Sequence, residues 1–108
     1  MTLKLIDNID FEKGNGLVPV IVQDSNSKDV LTLAYTNKES LELTKKTGNS
    51  WFWSRSRNKL WMKGEESGNT QKVKEILVDC DSDALIYLVE PSGPACHTGQ
   101  GTCFHNKM

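Results

Sequence analysis

The sequence predicts a single α+β domain, predominantly β, with one main helix and a strand-rich sheet or pseudobarrel. Three observations carry this expectation. Short β-branched and apolar runs alternate with turn residues, one capped helical segment ends at a glycine, and 108 residues suit one domain with no room for a second of ordinary size. Charged residues at 25% and hydrophobic residues at 37% give the balance of a chain that folds rather than one that stays disordered.

In chain order, Val18 to Asp24 is β-branched and apolar, with Pro19 near its start, where a missing N–H is easiest to tolerate. Ser25-Asn26-Ser27-Lys28 is turn chemistry and Asp29 to Tyr35 resumes a strand, so the pair reads as a hairpin. Thr36 and Glu39 form an S/T-x-x-E capping box for a helix over Lys38 to Thr47, with Gly48 as its stop and Leu41 and Leu43 as its apolar seat. Strands are expected over Ser50 to Arg57, Leu60 to Lys63, Thr70 to Asp79 and Ala84 to Glu90. In the third of these Val73 and Glu75 alternate only imperfectly with their neighbours, so one face is half buried. Ala84 to Val89 is apolar on both faces and belongs in the middle of a sheet. Gly64 to Asn69 is a glycine-bracketed loop, and the chain from Pro91 onward is loop-like.

Charge and hydropathy narrow the function. A net charge of -1 gives no basic field for nucleic acid or anionic membrane. The longest apolar run, Ala84 to Val89, falls far short of the ~18 residues of a membrane helix. Lys4 and Asp7 interrupt the N-terminus too early for a secretory leader. The expectation is a cytoplasmic protein, whose reducing surroundings disfavour disulfides among Cys80, Cys96 and Cys103.

Three constellations carry chemistry. In Asp79-Cys80-Asp81-Ser82-Asp83 the carboxylates fall at i, i+2 and i+4, and on an extended chain they would share one side at ~7 Å intervals. Like charges so placed suit a hard cation such as Mg²⁺ or Ca²⁺, although a solvated acidic turn is the bland alternative. An EF-hand is excluded because Ala84 stands where its loop needs glycine. The second constellation, Gly93 to Phe104, carries Cys96 and Cys103 in a glycine-rich loop. With Cys80 they make three thiolates, one short of a closed tetrahedron, which favours a catalytic zinc with an open position. His97 could instead close a structural Cys₃His site; strain in an adjacent Cys-His pair favours it as a proton carrier behind the ligands. His105 reads as a surface residue. The third, Trp51 to Arg57, would place Trp51, Trp53, Arg55 and Arg57 on one strand face and Ser54 and Ser56 on the other. Guanidinium groups and hydroxyls suit phosphate, and so do Lys63 and Ser67 in the neighbouring loop, whose glycines expose backbone N–H groups. Tryptophans as core and arginines in rim ion pairs are the plain alternative.

Taken in order, F-W-S-R-S-R, L-W-x-K-G-E-x-S-G-x-x-Q, D-C-D-x-D-A and G-P-A-C-H-T-G-x-x-x-C-F resemble the phosphoribosyl-AMP cyclohydrolases of histidine biosynthesis. The resemblance takes in Gly16 to Asp24 and Leu33 to Asn37 as well and spans about residues 16 to 104. It implies hydrolysis of the N1–C6 bond of 1-(5-phosphoribosyl)-AMP by a zinc-activated water, giving the phosphoribosylformimino-imidazolecarboxamide ribotide. It further implies zinc at Cys80, Cys96 and Cys103, Mg²⁺ at Asp79, Asp81 and Asp83, and a homodimer whose zinc ligands come from both chains. The form expected is the monofunctional one, without a fused pyrophosphohydrolase. His97 is then the candidate for moving protons, and Arg55, Arg57, Lys63, Ser54 and Ser67 the candidates for holding the two ribose phosphates. Thr102 stands where serine is common in the family, and the tail after Phe104 is polar; neither is a proposed ligand. Two rivals from other classes are weaker. An RNA-binding module using Trp51, Phe52 and Trp53 conflicts with the balanced charge, and a zinc nucleoside deaminase with the absence of H-x-E and P-C-x-x-C.

Overall fold

A computed structural model describes residues 4–108. The elements are β1 (Val18–Asp24), β2 (Val30–Thr36), α1 (Lys38–Thr47), β3 (Trp51–Ser54), β4 (Lys59–Met62), β5 (Gln71–Val78) and β6 (Leu85–Pro91), preceded by 3-10 turns at Ile6–Asn8 and Glu12–Gly14. A four-stranded sheet runs β2-β1-β6-β5, and β3 and β4 pair as a separate ribbon. The α+β, predominantly β expectation holds.

The hairpin of β1 and β2 is antiparallel, whereas β6 lies parallel to β1, from Val20 beside Leu85 to Asp24 beside Val89. Pro19 precedes that parallel ladder, which is how a proline fits an interior strand. The strand apolar on both faces, β6, does sit inside the sheet, between β1 and β5. One face of the sheet makes the core: Val18, Val20 and Val22 of β1 and Leu85, Tyr87 and Val89 of β6 pack with Leu31, Leu41 and Phe52. Phe52 stacks on Tyr87 with ring centres 5.8 Å apart and lies 5.1 Å from Trp61. The broken alternation of β5 has a cause, a bulge between Val73 and Glu75.

Several expectations need correcting. The helix has its expected bounds and ends at Gly48 with φ 77°, but its box is Asn37 with Ser40, not Thr36 with Glu39. Thr36 is still strand, and its buried hydroxyl turns to Ser40 and the Asn37 carbonyl instead. Beside Leu41 the helix buries Ser40 and Thr44 rather than Leu43. Thr44 Oγ1 accepts the Trp51 N–H at 3.0 Å and donates to the Ser40 carbonyl at 2.9 Å, tying α1 to β3. The expected strand Ser50 to Arg57 stops at Ser54, because residues 55–58 turn the ribbon with Asn58 left-handed at φ 53°. Arg55 and Arg57 therefore do not continue the Trp51 and Trp53 face. Phe52 is the core residue of that segment, and the two tryptophans are only half buried.

Candidate metal centre and substrate surface

The Asp79 to Asp83 segment is a turn, not an extended strand end. Ser82 is left-handed at φ 64°, and Asp79 Oδ1 accepts the N–H groups of Asp83 at 2.9 Å and Ala84 at 3.1 Å. Folding replaces the even spacing of an extended chain with convergence: one ligand atom from each of Asp79, Asp81 and Asp83 lies within 4.8 Å of the others. Oxygens around one hard cation at 2.0–2.6 Å are at most about 4–5 Å apart, so this all-oxygen set fits Mg²⁺ or Ca²⁺. Lys13 caps the turn, with Nζ 2.9 Å from Asp83 and 3.3 Å from Asp81. That ammonium holds the Asp83 carboxyl well below the usual carboxylate range, while the neighbouring Asp83 pushes Asp81 up. Lys13 itself is raised by both carboxylates, Asp83 first.

The cysteines behave differently. Cys96 is buried, Cys80 and Cys103 are exposed, and none is in a disulfide. Among the described residues the aspartates are the one group of three donors that converges, so a single chain does not bring the three sulfurs together. Cys96 and Cys103 do share a neighbourhood. The loop turns tightly, with the Gly99 N–H donating to the Cys96 carbonyl at 3.0 Å, and returns to the free edge of β2, where the Cys103 N–H donates to the Leu31 carbonyl at 2.8 Å. Thr102 Oγ1 fastens the same edge, donating to the Val30 carbonyl at 2.6 Å and the Leu31 carbonyl at 3.2 Å. The hydroxyl of Thr102 is thus a tether that holds the Cys103 segment on β2.

Cys96 is prepared as a thiolate. The Thr98 hydroxyl donates to its sulfur at 3.1 Å, and with the Thr98 backbone, His105 and Cys103 it lowers the thiol to about 6. His105, expected on the surface, is exposed yet has Nε2 3.9 Å from that sulfur. No pattern in the sequence marks this contact. His97 is exposed in the same loop. Two cysteine sulfurs of this kind suit a soft ion such as zinc, but they are two of the three donors expected.

The phosphate candidates divide. Arg55 lies over Tyr35, Cζ 3.7 Å from the ring centre, and with Ser54, Trp53 and Tyr35 lines an open hollow of about 520 Å³. A second hollow of about 440 Å³ shares Trp53 and Arg55 and adds Asn15, Asn37 and Asn58. Arg57 occupies the exposed turn, where its N–H donates to Ser54 Oγ at 3.2 Å. Lys63 and Ser67 stand past the other end of the ribbon, since Trp51 pairs with Met62 at the base and Ser54 with Lys59 at the tip. The three residue steps from Trp51 to Ser54 separate the ends by about 10 Å. Gly64 at φ 84° opens that second loop, and a Cβ there would run into the Asn69 backbone. Among the described residues Arg55, Arg57 and Lys63 make no ion pair, so the rim-ion-pair alternative falls.

The described residues thus form a small α+β domain that carries a converging carboxylate triad, a cysteine loop and cationic side chains beside open hollows. Comparison with known proteins specifies it further. The family model for phosphoribosyl-AMP cyclohydrolase matches residues 32–105. A phosphoribosyl-AMP cyclohydrolase of Nitrosopumilus maritimus is 80% identical over 105 residues, covering 97% of each chain, and one of Cenarchaeum symbiosum is 77% identical with the same coverage. The histidine biosynthesis bifunctional protein HisIE of Bacillus subtilis is 63% identical over 102 residues, which are 94% of this chain and 48% of that one. The chain belongs to the phosphoribosyl-AMP cyclohydrolase family. No helix of the described residues is long and apolar enough to cross a membrane.

Proposed function

We propose that the chain opens the adenine ring of phosphoribosyl-AMP by hydrolysis of the N1–C6 bond, a cytoplasmic step of histidine biosynthesis, as a homodimer with shared metal sites. The observation that carries the activity is the 80% identity to the Nitrosopumilus maritimus cyclohydrolase over 97% of both chains.

In this reading Cys96 and Cys103 of one chain and the partner's Cys80 hold zinc. Cys80 follows β5 at one edge of the sheet while Cys103 is fastened to β2 at the other, which supports it. So does the outward face of the sheet, where Leu33, Ile21, Ile86 and Leu77 stand in one row across four strands, with Ile21 38% and Leu33 47% exposed. A second copy is the occupant that would bury this row. When bound, zinc supplies Lewis acidity that brings the pKa of a water toward ~7. Around it, the Thr98 hydroxyl keeps Cys96 anionic, and His97 carries protons from the attacking water toward the departing N1. Asp79, Asp81 and Asp83 would hold Mg²⁺. Ser54, Arg55 and Arg57 take one ribose phosphate at the tip of the ribbon, Lys63 and Ser67 the other at its base. Two phosphates on one substrate suit cationic sites at opposite ends of the ribbon.

An ultraviolet assay of ring opening on phosphoribosyl-AMP, run with and without a chelator, tests this. The expected result is turnover that the chelator abolishes. Protein with its zinc intact and no ring opening would refute the assignment.

A further inference from the structure

The acidic turn is held by two lysines from the N-terminal segment, and they do different things. Lys4 Nζ donates to the Asp79 and Cys80 carbonyls at 3.2 and 3.4 Å and to Ser82 Oγ at 2.6 Å, so it grips the backbone of the turn. Lys13 Nζ touches only carboxylates, Asp83 Oδ2 at 2.9 Å and Asp81 Oδ2 at 3.3 Å. It bridges two of the three groups that converge as cation ligands.

Lys13 is aimed there by a local scaffold. Its N–H donates to Asp10 Oδ1 at 3.1 Å, and the Asp10 N–H donates to the Ser82 carbonyl at 2.8 Å. Ile9 is buried and Phe11 packs on the core, so this stretch is fixed against the domain while the lysine side chain reaches back to the turn. The reach ends in solvent: the side chains of Lys13 and Asp81 are 52% and 55% exposed. An exposed pair of this kind is weak and readily exchanged.

A divalent ion held by Asp81 and Asp83 competes with an ammonium bridging the same two carboxylates, because it draws on their lone pairs and like charges at that range repel. We propose that Lys13 is a tethered competitor for the cation: it fills the carboxylate site when no divalent ion is present, is displaced when one binds, and so sets the affinity of the site. The proposal rests on the reading of the aspartates as a cation site. Displacement frees the side chain of the 3-10 turn at Glu12–Gly14, linking metal occupancy to the N-terminal segment.

The test uses the full-length protein, gel-filtered free of added divalent ions and titrated with Mn²⁺, an oxygen-preferring ion whose free fraction is read by electron paramagnetic resonance. Lys13→Met should bind about three- to tenfold more tightly than the native protein at the same stoichiometry, since it removes two exposed ion pairs that the metal must otherwise break. Lys13→Arg, which keeps the charge, should stay close to native. Asp81→Asn identifies the binding as that of the turn by weakening it in both backgrounds. In the native protein, amide exchange over residues 10–16 should rise with Mn²⁺. Equal or weaker Mn²⁺ binding by Lys13→Met, with Asp81→Asn still weakening it, overturns the proposal and leaves the cation site standing. No binding by either protein overturns the cation site and the proposal with it.

Discussion

The acidic turn and the cysteine loop both carry metal-type donors, but only the turn completes its set within one chain. Asp79, Asp81 and Asp83 are near neighbours in sequence, and a left-handed Ser82 is enough to fold their oxygens together. Cys96 and Cys103 depend on a loop fastened to the edge of β2, and Cys80 stands apart at the end of β5. If each donor set holds its proposed metal, one gathered locally and one left apart imply different sensitivities: the first to local charge, the second to association of two chains.

Breaking the soft site should have the largest effect. Cys96→Ser is expected to lose bound zinc and about 10³-fold or more in ring-opening rate, because the Lewis acid supplies several kcal/mol of barrier lowering. Zinc content by atomic absorption beside the ultraviolet assay checks this. Ile21→Glu sharpens the contrast. It places a charge in the middle of the exposed apolar row and should give a monomer by sedimentation that lacks zinc and activity yet keeps divalent binding at the aspartates. Loss of both metals together would mean that the two sites are not separable in this way.

Smaller effects probe each site alone. Asp81→Asn should weaken Mg²⁺ or Mn²⁺ binding at least about tenfold while leaving zinc content unchanged. Thr102→Val removes the hydroxyl that fastens Cys103 to β2 and should cost about 1 kcal/mol, a roughly fivefold fall in zinc affinity, with Thr102→Ser restoring it. Competition with a zinc chelator resolves a change of that size.

Much of this was legible in the sequence, for reasons that differ by element. The helix bounds could be read because Gly48 stops it and strand patterning ends before it, yet the cap was one residue off, since Thr36 remained in β2. The β3 strand was overestimated because Arg55-Ser56-Arg57 alternates like a strand, and only the left-handed Asn58 reveals a turn. Carboxylate spacing singled out the three aspartates, but their convergence depends on a positive φ at a serine, where no glycine gives warning. Lys13 was invisible: it lies 68 and 70 residues from Asp81 and Asp83, and no local pattern links them. His105 beside Cys96 was missed because the loop has to fold back on itself first. The two apolar faces of β6 placed it inside the sheet, where it lies between β1 and β5. In the chain alone one face is core, and the other carries Ile86 in the outward row.

Complementation between two dead variants tests the shared soft site most directly. Cys80→Ala and Cys96→Ala proteins are unfolded together, refolded as a mixture and assayed for ring opening. If each site takes Cys80 from one chain and Cys96 with Cys103 from the other, every mixed dimer regains one intact site. Random pairing should then restore about a quarter of native activity. If all three cysteines act within one chain, no pairing rebuilds a site, and a mixture as inactive as its parents would contradict the account.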